Sequence, residues 1–210
     1  MEENMKNKKA YALIFLILIG ITIGITTLLR SSKNTTEEMK ILELLNGIKT
    51  YRSSITIEVK NQRNNIKYEG TQVYKKNLGY KLVLNDSRTF IFKGDDIAVK
   101  DEESTRAYTL NKSFDEVFKY GFVGEFISLV YTNEELKFEK ETIDGKEYYV
   151  ITTLIPGSNN NIFKGKMYYS IEDYAPKKIL ILDINNEERV IFTYKNFNWT
   201  DKVEDVELDF

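Results

Sequence analysis

Residues 51–84 decide the fold of this chain, and they read YRSSITIEVKNQRNNIKYEGTQVYKKNLGYKLVL. Apolar and polar side chains alternate through Tyr51–Val59, which is the pattern of a strand with one buried face. A polar turn at 61–65 follows, and two more strands are predicted at Ile66–Lys75 and Tyr80–Leu84. The stretch therefore predicts an antiparallel meander that buries one side of a sheet.

The alternating pattern continues to the end of the chain. Asp144-Gly145 and Asn185-Asn186 are hairpin turn sequences between alternating segments. Eight further strands are predicted: Thr89–Lys93, Ile97–Lys100, Arg106–Leu110, Leu136–Thr142, Tyr148–Leu154, Lys166–Ile171, Lys178–Asp183 and Arg189–Asn196. The predicted fold class is α+β and mainly antiparallel β: a curved half-barrel sheet of about eleven strands covered by short helices.

Two segments have helical periodicity instead. Thr35 and Glu38 form a capping box ahead of an amphipathic helix that extends to about Ile48. Ser113 and Glu116 form a second capping box ahead of a pair of short helices, which two glycines interrupt. These helices are the elements available to cover the concave side of the sheet.

The run Ala10–Leu29 is apolar and carries no charge over twenty residues. A helix of that length reaches about 30 Å and spans the hydrocarbon core of a bilayer. Lysines precede the run, so the positive-inside rule places the short tail in the cytoplasm and the large domain outside. The predicted organisation is a cytoplasmic tail (1–9), a transmembrane signal-anchor helix (10–29), a linker (30–34) and an extracytoplasmic domain (35–210).

The composition excludes several classes of function. The chain has no Cys and no His, so it lacks a thiolate, the commonest general base and the commonest zinc ligand. The net charge of −2 is not the footprint of a nucleic-acid binder. Four carboxylate pairs lie at predicted turns or element boundaries, where solvated charge is the ordinary expectation: Asp95-Asp96, Glu102-Glu103, Glu134-Glu135 and Glu187-Glu188. We expect no enzyme activity, no cofactor and no metal.

The aromatic residues are the remaining feature of the sequence that bears on function. Most alternate with polar residues on predicted strands, where core packing is the ordinary interpretation. One cluster on the central helical pair could instead line an apolar groove for acyl chains: Phe114, Phe118, Phe122, Phe126, Ile127 and Val130. Trp199 is interpreted as a hydrophobic plug near the C-terminus.

The helix up to Thr50 and three stretches after it, in their order along the chain, resemble the LolA/LolB-like superfamily of extracytoplasmic half-barrels. The stretches are residues 51–84, FIFKGDDIAVKDEESTRAYTL (90–110) and YAPKKILILDINNEERVIFTYKNF (174–197). With EFISLVYTNEEL (125–136) and the loop LIPGSNNN added, the order is most similar to the clostridial spore germination GerS family. One feature departs from that family, because this chain has no lipobox cysteine and its transmembrane helix would replace the lipid anchor.

The resemblance implies a protein of the spore envelope without catalytic activity. Such proteins support an N-acetylmuramoyl-L-alanine amidase that modifies cortex peptidoglycan, so a cell-wall amidase is the expected protein partner. The alternative is a lipid or lipoprotein carrier or sensor that uses the concavity of the half-barrel. A third possibility, a hydrolase, requires carboxylates that converge in a cleft.

Overall fold

The computed structural model describes residues 37–61, 64–94, 96–104, 106–111, 116–132, 135–157, 159–199 and 202–208. The chain divides into two compact units, Met1–Leu44 and Leu45–Phe210. Helix α1 covers residues 37–46, as the helical periodicity before Ile48 predicts. The predicted anchor (10–29) and linker (30–34) lie outside the described residues. Among the described helices, none is both long enough and apolar enough to cross a bilayer.

Among its described residues, the second unit contains eleven strands, two short α-helices and one 3₁₀ helix. The first six strands are β1 Thr50–Lys60, β2 Asn65–Lys75, β3 Gly79–Leu84, β4 Arg88–Lys93, β5 Asp96–Asp101 and β6 Arg106–Asn111. Helices α2 Glu116–Lys119 and α3 Val123–Thr132 follow. The last five strands are β7 Lys137–Ile143, β8 Lys146–Leu154, β9 Lys164–Ser170, β10 Ala175–Leu182 and β11 Glu188–Asn198, and a 3₁₀ helix spans Asp205–Leu208.

All eleven strands belong to one open antiparallel sheet. The order is β6-β5-β4-β3-β2-β1-β11-β10-β9-β8-β7, so β6 and β7 are the edge strands. Two meanders of neighbouring strands meet in the middle, where β1 pairs with β11. The predicted antiparallel sheet of about eleven strands is confirmed.

The local turn chemistry agrees with the predicted hairpins. Asp144 and Gly145 both have positive φ values, 51° and 74°, as a type I′ turn requires. Pro176 pairs with β9, whereas the pairing of β10 with β11 begins only at Lys178. The proline therefore sits where β10 still has one free side, so its missing N–H breaks no ladder.

One face of the sheet forms the core, and we call it the inner face. Cross-strand register aligns Ile57, Phe192, Ile179, Met167 and Ile151 in one row through five neighbouring strands. All five side chains are fully buried. A continuous apolar row of this kind requires a cover, because a sheet in water leaves only one face solvated.

The helical pair provides the cover, and its contacts show that the sheet curls. Phe122 lies 5.1 Å from the ring of Phe92 on β4, while Phe126 packs against Gly165 on β9. Strands β4 and β9 are six steps apart, which is about 29 Å in a flat sheet. Two side chains one helical turn apart, about 5 Å, reach both strands only if the sheet wraps around the helices. The inner face is therefore concave.

Candidate functional site

The sequence-predicted apolar cluster lies between the helical pair and the inner face. Phe122, Phe126, Ile127 and Val130 are buried. Phe118 is half-buried and makes ring contacts at 6.2 Å with both Tyr68 and Phe90. Phe114 lies outside the described residues. The structure thus brings five of the six predicted residues together as part of the core, and their use as an acyl-binding groove stays a prediction.

Two buried tyrosine hydroxyls hold the helical pair to the sheet. The backbone N–H of Val123, the first residue of α3, donates to the Tyr51 hydroxyl at 3.2 Å. The Tyr194 hydroxyl donates to the carbonyl of Gly121 at 2.8 Å. Burial raises the pKa of both tyrosines well above the usual value, so both stay protonated. The hydroxyls of two central strands, β1 and β11, therefore hold the junction between α2 and α3.

Glycines at the same junction let the helices approach closely. A Cβ on Gly121 would lie 2.6 Å from the ring of Phe192, and one on Gly124 would lie 2.8 Å from the Tyr80 hydroxyl. Burial, helped by the nearby Glu125 carboxylate, raises the pKa of Tyr80. The two glycines that interrupt the helical pattern in the sequence thus have a packing role.

A cleft of about 710 Å³ remains at one end of the helical pair. Its apolar wall consists of Val59, Val117, Ile162 and Val190, and its polar wall consists of Lys60, Asn61, Asn64, Asn159, Asn161 and Arg189. Both cations are engaged: the Lys60 ammonium lies 2.6 Å from the Glu188 carboxylate, and the Arg189 guanidinium lies 2.6 Å from Asp183. The cleft has the size of a ligand site, and amides contribute most of its remaining polar groups.

Three members of the paired carboxylates contact cations in the described part of the chain. Glu102 pairs with Lys100 at 2.8 Å, and Glu187 and Glu188 each pair with a different cation. Asp95 and Glu134 lie outside the described residues. No group of three Asp or Glu side chains that could hold a metal ion occurs among the residues described. The pairs that the structure describes in contact with cations act as surface ion pairs.

A second set of aromatic residues lies at the end of the sheet where β1 begins and β11 ends, and we call this the entry end. Trp199 donates its indole N–H to the carbonyl of Tyr174 at 3.1 Å. Phe197 contacts Trp199 at 4.5 Å and stacks on the buried Tyr51 at 4.7 Å. We call Tyr174, Phe197 and Trp199 the aromatic end patch.

Tyr174 is the unusual member of this patch. Its φ of 51° is in the left-handed region, which is uncommon for a bulky residue and costs backbone free energy. Its side chain is nevertheless 64% exposed, so apolar burial does not compensate for that conformation. Backbone strain of this kind clusters at functional sites, so Tyr174 is a candidate for a binding position. The sequence analysis missed Tyr174, because no local pattern predicts a positive φ at tyrosine.

Comparisons with known proteins identify the family of the chain. The model of a family described as sporulation protein YdcC-like matches residues 8–208. The chain belongs to the sporulation protein YdcC-like family. A search of the curated proteins finds no match.

Several solved structures are similar to this YdcC-like chain. An uncharacterised conserved protein from Thermus thermophilus is 9% identical, with a TM-score of 0.53 over 83% of this chain and 92% of that one. The structure of the CwlD amidase from Clostridioides difficile in complex with the GerS lipoprotein matches at 24% identity and a TM-score of 0.48, over 80% of this chain and 95% of that one. A LolA superfamily protein from Nitrosomonas europaea matches at 13% identity and a TM-score of 0.40, over 80% and 96%. The predicted kinship with a sporulation family is confirmed by the family match, and the Thermus thermophilus protein shares the fold.

Proposed function

We propose that this YdcC-like protein is a membrane-tethered, non-catalytic scaffold outside the cytoplasm that binds a cell-wall amidase during sporulation. The family supports the sporulation role. The uncharged run Ala10–Leu29 supports the tether, with residues 1–9 in the cytoplasm. The resemblance to the GerS family supports an N-acetylmuramoyl-L-alanine amidase as the partner. The composition, without His or Cys, supports a role in binding.

One observation carries this proposal: the helical pair fills the inner face. A carrier needs a concavity that can open for its cargo. Here the hydroxyls of Tyr51 and Tyr194 hold the helix junction, and the side chains of Phe122 and Phe126 are almost fully buried beneath it. Opening this interface would expose the buried aromatic core and leave polar groups without partners. We therefore expect a partner to bind on the outer surface of the domain.

The aromatic end patch is the surface that fits a protein partner best. Tyrosine and tryptophan supply large contact areas at little conformational cost and are enriched at binding hot spots. Tyr174 is exposed and held in place through the indole of Trp199. The chain that leads into β1 also arrives at the entry end, where the N–H of Lys76 donates to the carbonyl of Lys49 at 2.7 Å. A partner bound there would lie at the end of the sheet where β1 begins.

The test is co-purification of the full-length chain with the cell-wall amidase of the same organism. We expect Tyr174→Gly to abolish capture while the fold stays intact, because glycine adopts a φ of 51° without strain. The matched control is Tyr131→Ala, since Tyr131 is another exposed tyrosine and lies on helix α3. Failure of the wild-type chain to capture the amidase, together with normal muramic-δ-lactam in the cortex of a deletion strain, would overturn the proposal.

The apolar wall of the 710 Å³ cleft favours a second candidate, a carrier or sensor of lipid or lipoprotein. A single acyl chain would fit along Val59, Val117 and Val190 without opening the core. The full-length chain would then retain one lipid per molecule after purification in maltoside detergent, as measured by extraction and mass spectrometry. Val59→Asn should remove that lipid. A lipid-free wild-type chain would eliminate this candidate and leave the scaffold proposal unaffected.

A further inference from the structure

A pocket on the outer face of the sheet is independent of the surfaces described so far. It lies at the β7 edge, has a volume of about 450 Å³, and contains three lysines, Lys137, Lys164 and Lys166, around Thr152. We call it the lysine pocket. The remaining lining residues are Glu135, Glu139, Thr153, Leu154, Phe163 and Asn186.

Strand register arranges the centre of the lysine pocket. Lys137 on β7 is directly opposite Thr152 on β8, and Thr152 is directly opposite Lys166 on β9. Direct cross-strand neighbours have Cβ atoms about 5 Å apart, so one hydroxyl lies between two lysines on the same face. Lys164 is opposite Leu154, two residues further along β8 on this face. The sheet therefore presents a Lys–Thr–Lys row with a third lysine beside it.

The charges of this row are not neutralised within the described part of the chain. Lys137 and Lys166 have no ion pair and no side-chain hydrogen bond there, and Lys164 donates only to the neutral amide oxygen of Asn186, at 2.7 Å. Elsewhere on the sheet, Lys60 and Lys100 are paired with carboxylates at 2.6 and 2.8 Å. The carboxylates of Glu135 and Glu139 also line the pocket, and the three ammonium groups exceed those two charges.

The hydroxyl of Thr152 supplies a second, independent observation. Thr152 is only 8% exposed, and its Oγ1 atom has no hydrogen-bond partner among the residues that the structure describes. Buried polar atoms are nearly always hydrogen-bonded in native proteins, so an orphan of this kind needs an explanation. A threonine hydroxyl both donates and accepts, and a lysine ammonium only donates. An acceptor with several oxygens would satisfy both groups at once.

We propose that the lysine pocket binds a phosphate group, in a soluble phosphate ester or in a lipid headgroup. The Thr152 hydroxyl and the ammonium groups of Lys137 and Lys166 donate to its oxygens, and Lys164 contributes charge. Lysine binds phosphate as a point charge, and hydrogen bonds between charged groups are about twice as strong as neutral ones. The lysine pocket is separate from the aromatic end patch, because the Lys–Thr–Lys row lies on β7 to β9 at the outer face.

The test uses the full chain in a non-ionic detergent and glycerol 3-phosphate as the probe, at constant ionic strength. Calorimetric titration should show saturable binding that weakens at least tenfold in the variant carrying Lys137→Gln and Lys166→Gln. The matched control carries Lys49→Gln and Lys146→Gln, which remove the same charge from exposed positions outside the pocket. Its affinity should stay within about twofold of the wild type.

A second arm replaces the soluble ester with phosphatidylglycerol in the micelles and follows the ³¹P signal of the headgroup. If the ³¹P signal broadens with the wild-type chain but not with the pocket variant, the site binds a lipid headgroup. If only the soluble ester binds, the site belongs to a phosphate metabolite or polymer. No saturable binding in either arm up to about 10 mM, or equal binding by the pocket variant and the control, overturns the proposal.

Thr152→Val separates binding from folding. The valine has nearly the same shape and removes an unpartnered hydroxyl, so the unfolding temperature should hold or rise. Phosphate affinity should nevertheless fall about tenfold, because one charge-assisted hydrogen bond is lost. Unchanged affinity in this variant would remove the hydroxyl from the site and contradict the geometry proposed here.

Discussion

The contact between Gly165 and Phe126 gives the sharpest test of how the helical pair seats on the sheet. A Cβ added to Gly165 would lie 2.6 Å from Cε2 of Phe126, whereas carbon atoms pack at about 3.5–4.0 Å. The ring must therefore move by about 1 Å, and it is fully buried in a close-packed core. Overpacking of this kind costs about 1–3 kcal/mol in the free energy of unfolding.

An opposing effect acts on the unfolded chain. Gly165 does not have a positive φ, so alanine suits the backbone there and gains about 0.4–1 kcal/mol by restricting the unfolded state. The net expectation for Gly165→Ala is a loss of about 1–2 kcal/mol. In a Phe126→Leu background the clash with the ring disappears, and only the stabilisation from restricting the unfolded chain remains. The same substitution should then be neutral or slightly stabilising.

Urea unfolding of the full chain in non-ionic detergent measures this double-mutant cycle. The fluorescence of Trp199, the single tryptophan, reports the transition. Comparable unfolding slopes in the four proteins are the control, because they show that the same surface is exposed. An additive cycle, with Gly165→Ala equally destabilising in both backgrounds, would refute the placement of α3 against β9.

Three further predictions address other parts of the domain. Tyr51→Phe should lower the free energy of unfolding by about 1–2 kcal/mol in the same urea assay, because it leaves the buried N–H of Val123 without its acceptor. Leu208→Ala should cost about 2–4 kcal/mol, measured in the same way, because this fully buried side chain holds the C-terminal 3₁₀ helix; a loss under about 0.5 kcal/mol would contradict that role. The backbone N–H of Ser104 and then the Arg88 guanidinium lower the pKa of Asp101 to about 2, below its unfolded value near 3.9, so stability present above about pH 4 should decline toward pH 2. Asp101→Asn should flatten that decline in an acid titration followed by circular dichroism.

Local sequence patterns predicted the strands well, because alternation is a property of neighbouring residues. The alternating stretch Tyr51–Val59 became β1, and the turn at Asp144-Gly145 adopts the positive φ values of its type. The helical periodicity that includes Phe126 and Val130 became α3. The same patterns could not give the aromatic end patch, since the contact that holds Tyr174 comes from an indole that lies 25 residues away.

By itself, the sequence determined the fold class, the number of strands, the positions of the helical segments and the lack of thiol or imidazole chemistry. These properties follow from residue types and their spacing, which act over a few residues. Only the tertiary structure decided that β1 pairs with β11, that the helical pair fills the concave face, and that Thr152 lies between Lys137 and Lys166. Each of these contacts joins residues far apart in the chain, so it depends on packing and register across the whole sheet and not on any local pattern.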